Sequence, residues 1–320
     1  MRLLSSRTAR LVRTIFAIAL AAMSVAGVEA PPLRETSDGK KIRSSAKWEL
    51  LKRPELESAL ATRAGYGPFR FTEVASFASH DQGSEKVVLD GSAALKQSKI
   101  AASTLAGLVM FDVSCFLPRA GLVGAAPVFL FLCTPDWEEK IAPDVAAKDD
   151  EFWPVATLVS RGYAAVSFSA EQVSPEDGTN AVARWAAAAR AAMDWIEKDS
   201  RLDASRVALV GHSATGEAAL WAFAADRRFS MLCCTVSRLL KARGSDFRDL
   251  VALAAPRPVR IASASSDAIG GESPEAKVVA ETAFVWDLYG KKDACRHRER
   301  PGPHGLTRSD WEFFLSKSLP

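Results

Sequence analysis

Val207-Ala208-Leu209-Val210-Gly211-His212-Ser213-Ala214-Thr215-Gly216 carries an unbroken apolar stretch straight into Gly-His-Ser, and the Ala-rich segment Glu217–Ala225 follows at once. Consecutive aliphatic residues bounded by glycine fit a strand buried on both faces. A strand that enters a helix without a loop must turn sharply, and Gly211 leaves room where a Cβ would collide. Such a turn holds Ser213 outward at the strand tip. The first N–H groups of the helix form its positive end, which makes the Ala214 N–H a natural donor to an anion forming beside Ser213. A glycine-rich turn whose serine merely caps the helix is the competing reading, and the surrounding pattern decides between the two.

Outward from this point the chain alternates. Upstream, Pro127–Cys133 is a continuous apolar run, Phe152–Ser160 reads as a helix closed by Gly162, Tyr163–Phe168 as a strand, and 181–196 as a helix with Trp185, Ala188, Ala189, Ala192 and Ile196 on one face. Downstream come a strand at Phe229–Val236, a helix at Asp249–Ala255 and a strand at Val259–Ala262. Ser273-Pro274 opens another helix, Phe284–Leu288 reads as the last strand, and Thr307-x-x-Asp310 starts the last helix. Strands alternating with helices at this pitch predict an α/β fold, a mostly parallel central sheet with helices on both faces. Before it, a helix over Lys47–Leu60 precedes strand-like segments at Phe69–Phe77, Lys86–Leu89 and Leu108–Leu117 with little helix between them. They predict an antiparallel N-terminal edge.

A serine at such a turn needs a base, and the chain has 4 histidines. His80 lies in a polar stretch before the sheet, and His212 diverges from its neighbour Ser213 at the turn. Three arginines, Arg296, Arg298 and Arg300, surround His297 and disfavour its charged form. His304, in Gly302-Pro303-His304-Gly305-Leu306, lies after the last strand and before the last helix, and is the preferred base. The acid is expected at the end of the penultimate strand, where Asp267 stands; Glu272 and Glu275 compete for the role in the same loop. Thr134, directly after the run Pro127–Cys133, is taken with Ala214 as an oxyanion donor.

The 320 residues are 48% hydrophobic and 25% charged with 19 Gly and 16 Pro, which excludes a disordered or collagen-like chain. Four arginines precede the apolar stretch Ile15–Val28, and small residues at Ser24-Val25-Ala26 offer a cleavage site. We read 1–26 as a signal peptide, 27–45 as a linker and 46–320 as one α/β domain. The apolar stretch is shorter than the ~20 residues of a membrane span, so no membrane attachment is expected after cleavage. Residues 1–30 hold four arginines and one acid; setting them aside from 41 bases and 38 acids leaves 37 of each. A neutral body argues against nucleic acid as a partner. A monomer is expected, exported to the periplasm or beyond. Of the five cysteines, Cys115 and Cys133 end strand-like runs and pair only if those strands are neighbours; Cys233, Cys234 and Cys295 show no metal-ligand spacing, and buried free thiols are the equal alternative.

A collinear set of motifs accompanies the turn: Trp153-Pro154 with Arg161-Gly162-Tyr163, Ala192-Met193-Asp194-Trp195, Asp203-Ala204-Ser205-Arg206-Val207, Leu253-Ala254-Ala255-Pro256-Arg257-Pro258-Val259, and His304-Gly305-Leu306-Thr307 with Asp310-Trp311. Over roughly residues 47–316 it resembles bacterial glucuronoyl esterases, carbohydrate-esterase family 15, and related α/β-hydrolases. The resemblance implies an α/β-hydrolase fold and serine hydrolysis of an ester on a glucuronate unit of xylan, without metal or organic cofactor. It departs where that family places Arg and Lys after the serine: here stand Ala214 and Glu217. Cys234-Thr235-Val236-Ser237-Arg238 lacks the acid often found there, and the Trp expected after Asp267 reads Ile269. The expected function is therefore an exported serine carboxylic-ester hydrolase acting on glucuronoyl or other polysaccharide esters. Alternatives are an acetyl or short-chain esterase of the same fold, or a non-catalytic relative.

Overall fold

The computed structural model describes residues 32–64, 73–119, 124–146, 148–175, 181–235, 244–268, 273–316 and 319. The segment read as a signal peptide lies outside the described residues, as do Glu272, Ile269 and Arg238.

Among the described residues ten strands form one sheet: β1 (Val74–Asp81), β2 (Lys86–Val88), β3 (Ala93–Thr104), β4 (Gly107–Pro118), β5 (Ala126–Cys133), β6 (Ala164–Ser169), β7 (Leu202–Gly211), β8 (Met231–Cys234), β9 (Val259–Ala264) and β10 (Cys295–Arg300). Their order is β1-β3-β4-β6-β5-β7-β8-β9-β10, with β2 on β3. From β6 to β10 every pairing is parallel, and β1 to β4 join antiparallel at the other edge. This is the predicted architecture.

Alternation along β5 shows how the sheet holds two cores. Val128, Leu130 and Leu132 face one layer, with residues of α1 (Arg53–Ala64), α3 (Ala181–Ile196), α4 (Ala214–Ala225), α5 (Gly244–Ala254) and α6 (Pro274–Asp287). Phe129, Phe131 and Cys133 face the other, with residues of α2 (Val155–Ser160) and α7 (Arg308–Phe314). Leu33 and Ile42, in the stretch before α1, are buried in the first core.

Two expectations are corrected. Phe284–Leu288 is no strand: Val278, Thr282, Val285 and Trp286 are buried at the spacing of a helical stripe, and the segment is mostly the last turns of α6. The last strand is instead β10, whose Cys-Arg-His-Arg-Glu-Arg sequence suits a charged edge that pairs only with β9. Cys115 and Cys133 cannot pair, because β6 separates their strands and they face opposite cores. All five cysteines are buried free thiols, and burial pushes the Cys295 thiol up to about 12. Among the described residues no helix is long and apolar enough to cross a membrane.

Parallel register places the chemistry-bearing residues. Leu132 of β5 pairs with Gly211 of β7, Gly211 with Cys234 of β8, Cys234 with Ile261 of β9, and Ile261 with His297 of β10. Residues just beyond this line leave the sheet along a single edge, the carboxyl ends of the parallel strands, where open α/β sheets keep their crevice.

Candidate active site

The turn from β7 into α4 is as tight as its glycines imply. A Cβ on Gly211 would lie 2.4 Å from the Thr215 carbonyl oxygen, and one on Gly216 would lie 1.9 Å from that of Thr235. Ser213 itself is forced to φ 58 and ψ −122, a conformation that costs on the order of 1–3 kcal/mol and persists only where surroundings impose it. Two threonines do so. The Thr215 hydroxyl accepts from His212 N–H (3.2 Å) and lies 2.8 Å from the Leu132 carbonyl, tying the turn to β5. The Thr235 hydroxyl accepts from Ser213 N–H (3.3 Å) and shares a 2.6 Å hydrogen bond with His212 Nδ1. Thr235 was passed over in the sequence, although it follows Cys234 on the register line.

His304 and Asp267 meet. His304 Nδ1 lies 2.9 Å from Asp267 Oδ2. A carboxylate can only accept there, so in the neutral imidazole Nδ1 bears the proton and Nε2 keeps its lone pair. Asp267 ends a 3-10 turn, Ser265–Asp267, directly after β9; it is buried, and its Oδ2 also accepts from Ala264 N–H (3.3 Å). The His304 ring stacks on that of His212 with centroids 4.7 Å apart and planes at 25°. That stack sets His304 beside the serine turn, because His212 is the residue before Ser213. Burial, and next the repulsion of His304, pull His212 down to about 3, so it stays neutral beneath its partner.

The competing groups that the structure describes go elsewhere. Buried Glu275, in the first turn of α6, accepts from the Ser273 hydroxyl at 3.1 Å, and Ser273 lies 3.3 Å from His297 Nε2. His297 also contacts the Ser263 hydroxyl at 2.8 Å, which makes it part of the β9–β10 seam. His80 is exposed on β1.

Ala214 opens α4, so its N–H is among those the helix leaves without an internal partner. Thr134 follows the end of β5, two residues beyond Leu132, and is thus level with Ser213 two beyond Gly211. Its hydroxyl is buried and has no hydrogen-bond partner among the described residues. Glu217 is buried in the first turn of α4. An aromatic wall continues from the stacked histidines: Phe152 meets His212 edge-on, and Trp137 stacks on Phe152 at 4.7 Å while remaining 40% exposed. Nothing in the local pattern of Trp137 marked it, since it lies in the 3-10 helix Pro135–Ile141 after β5, which carries no apolar periodicity. Among the described residues no group of three or more His, Cys, Asp or Glu side chains could hold a metal ion.

A serine on a strained strand-to-helix elbow, with a histidine–carboxylate pair delivered by later strands of the same sheet edge, defines the α/β-hydrolase fold. No family model matches the chain. Its sequence is similar to that of "Carbohydrate esterase MZ0003" from an unknown prokaryotic organism, 24% identical over an alignment of 378 residues that takes in 87% of this chain and 86% of that protein. Its structure is similar to a glucuronoyl esterase from Solibacter usitatus, with a TM-score of 0.72, 22% identity, and 92% and 98% of the two chains covered. A promiscuous CE15 esterase from a marine bacterial metagenome gives a TM-score of 0.70 at 21% identity, covering 92% of this chain and 97% of that one. These are the relatives that the sequence motifs resemble.

Proposed function

We propose that the chain is a serine carboxylic-ester hydrolase that forms an acyl-enzyme on Ser213. The single observation that carries this reading is the Asp267–His304 hydrogen bond, with His304 stacked against the residue that precedes Ser213. In the proposed cycle His304 Nε2 takes the Ser213 proton as Oγ attacks the ester carbonyl, and Asp267 stabilises the imidazolium that results. Ala214 N–H and Thr134 receive the developing oxyanion. The imidazolium then protonates the departing alcohol. Water, deprotonated by the same nitrogen, releases the acid from the acyl-enzyme. Similarity to carbohydrate esterases supports an ester of a carbohydrate as substrate, and the arginine-rich leader supports action outside the cytoplasm.

The residues around the serine favour an uncharged acyl group. Ala214 and buried Glu217 stand where related esterases carry Arg and Lys, so two cations are missing and one carboxylate has been added. A hydrogen bond to a charged group contributes roughly 1.5–3 kcal/mol, and loss of two such bonds removes most of a preference for a uronate. Acetyl and butyryl esters are therefore expected to be hydrolysed at least as fast as methyl glucuronate in a side-by-side ester panel. Activity confined to glucuronoyl esters would overturn this specificity. Labelling of the native protein by a serine-directed fluorophosphonate separates the hydrolase from a non-catalytic relative; absence of labelling refutes the hydrolase reading.

The Thr134 hydroxyl gives a second test. A buried hydroxyl without a partner costs about 1–3 kcal/mol of stability. Thr134→Val is thus expected to raise Tm while lowering kcat by about 100- to 1000-fold, the range for removing one oxyanion donor. Thermal melts and kinetics on the same sample decide it. A stabilised variant with unchanged kcat would show that this hydroxyl takes no part in the reaction.

A further inference from the structure

The loop that carries His304 is built around one buried guanidinium. Arg300 ends β10, and its side chain folds forward over the five residues that follow. Nη1 donates to the carbonyls of Pro301 (3.3 Å) and Pro303 (3.0 Å), and Nη2 donates to that of Gly305 (2.9 Å). Pro303 and Gly305 are the two neighbours of His304, so the fork grips the chain on either side of the base. Nε donates to Asp310 Oδ2 at 2.8 Å, with Arg300 7% and Asp310 2% exposed. The same Asp310 oxygen accepts from the Thr307 N–H (3.0 Å) and hydroxyl (2.9 Å), which fixes the start of α7. The loop is also docked on the turn that holds Asp267: Gly302 N–H donates to the Ser265 hydroxyl (3.1 Å), and Ser266 N–H to the Gly302 carbonyl (3.3 Å).

Residues 301–305 form neither helix nor strand, and residues 301–304 are exposed. Loop backbone of this kind is ordinarily mobile, whereas proton transfer needs the base within a few tenths of an ångström of its working position. A planar five-donor group can bind three diverging carbonyls and a carboxylate together; an ammonium cannot reproduce that geometry.

We infer that Arg300, held by Asp310, is the positioning residue that fixes His304 for catalysis. The inference rests on the reading of His304 as the general base. The experiment measures Arg300→Lys and Asp310→Asn on p-nitrophenyl acetate, each in the wild-type and the His304→Ala backgrounds, with Ser213→Ala as reference. With His304 present, each is expected to lower kcat about 10- to 100-fold with KM within about twofold, and to slow fluorophosphonate labelling in parallel. In the His304→Ala background the further loss should be under about twofold, because a brace that acts only through His304 has nothing left to position. Equal losses in both backgrounds would assign the pair to general structure, and unchanged kcat with His304 present would remove the role altogether. Either outcome overturns the inference while leaving the hydrolase reading intact. Near wild-type turnover by His304→Ala or Ser213→Ala overturns the hydrolase reading, and the inference with it. Should Arg300→Lys not fold, Asp310→Asn carries the same comparison, since it keeps shape while removing the charge that holds Nε.

Discussion

Ser213→Ala is expected to abolish ester hydrolysis, with kcat lower by on the order of 10⁴–10⁶, while the fold is kept. The size of the effect follows from what the side chain does in the proposed cycle: its oxygen forms the bond to the acyl group, and no neighbour can replace it. His212 is buried and neutral, and the five thiols are all buried. Preservation of the fold follows from local geometry. Ser213 is half-buried, and its side chain makes no capping hydrogen bond to α4, so its loss opens no core cavity and uncaps no helix. Its backbone conformation is set by Gly211, Gly216, Thr215 and Thr235, all unchanged by the substitution. Alanine meets much the same strain at φ 58 as serine does. Initial rates on an activated ester, with circular dichroism as the check on folding, test this directly. Turnover within about tenfold of wild type would remove Ser213 from the mechanism.

How much of this was legible in the sequence depended on which physical signal each residue carries. The elbow was legible because close packing leaves few solutions: four aliphatics, a glycine where Cβ would strike Thr215, and an Ala-rich helix. Chain order alone singles out His304 and Asp267, and their side chains meet because loops that leave neighbouring parallel strands at one edge must converge. The strand reading failed where tertiary context overrode local propensity. Phe284-Val285-Trp286 looks β-prone in isolation, but belongs to a helical stripe begun at Val278. β10 was missed because its charges hide a pairing that only the edge permits, and β3 because Ala93–Thr104 alternates small and polar residues too weakly to stand out. Arg300 entered the sequence reading only as a charge near His297. Its reach forward around the His304 loop is a property of side-chain packing and leaves no periodic trace.

Asp267→Asn is expected to lower kcat by about 10⁴ with the fold intact, far more than Glu275→Gln or Glu272→Gln. The substitution is nearly isosteric, so the 3-10 turn and the bond from Ala264 N–H can remain. What changes is the proton on the base. In the proposed cycle Asp267 Oδ2 accepts from His304 Nδ1 and thereby leaves Nε2 free to take the Ser213 proton. An asparagine that turns its amide NH₂ toward His304 favours the opposite tautomer, with the hydrogen on Nε2, and a nitrogen that already holds a proton cannot accept another. The imidazolium also loses its countercharge. Glu275 offers no such route, because its carboxylate is engaged with Ser273 on the His297 side of β9–β10 and, in the first turn of α6, complements the helix dipole. Its conversion to glutamine should leave kcat within a few-fold of wild type. All three variants are to be measured on one activated ester at about pH 7–8, near the range where a histidine base is active. A crippled Glu272→Gln or Glu275→Gln beside a near wild-type Asp267→Asn would transfer the acid to that glutamate. If all three stayed active, His304 would be working without a dedicated carboxylate, and the 2.9 Å contact to Asp267 would be no more than loop packing.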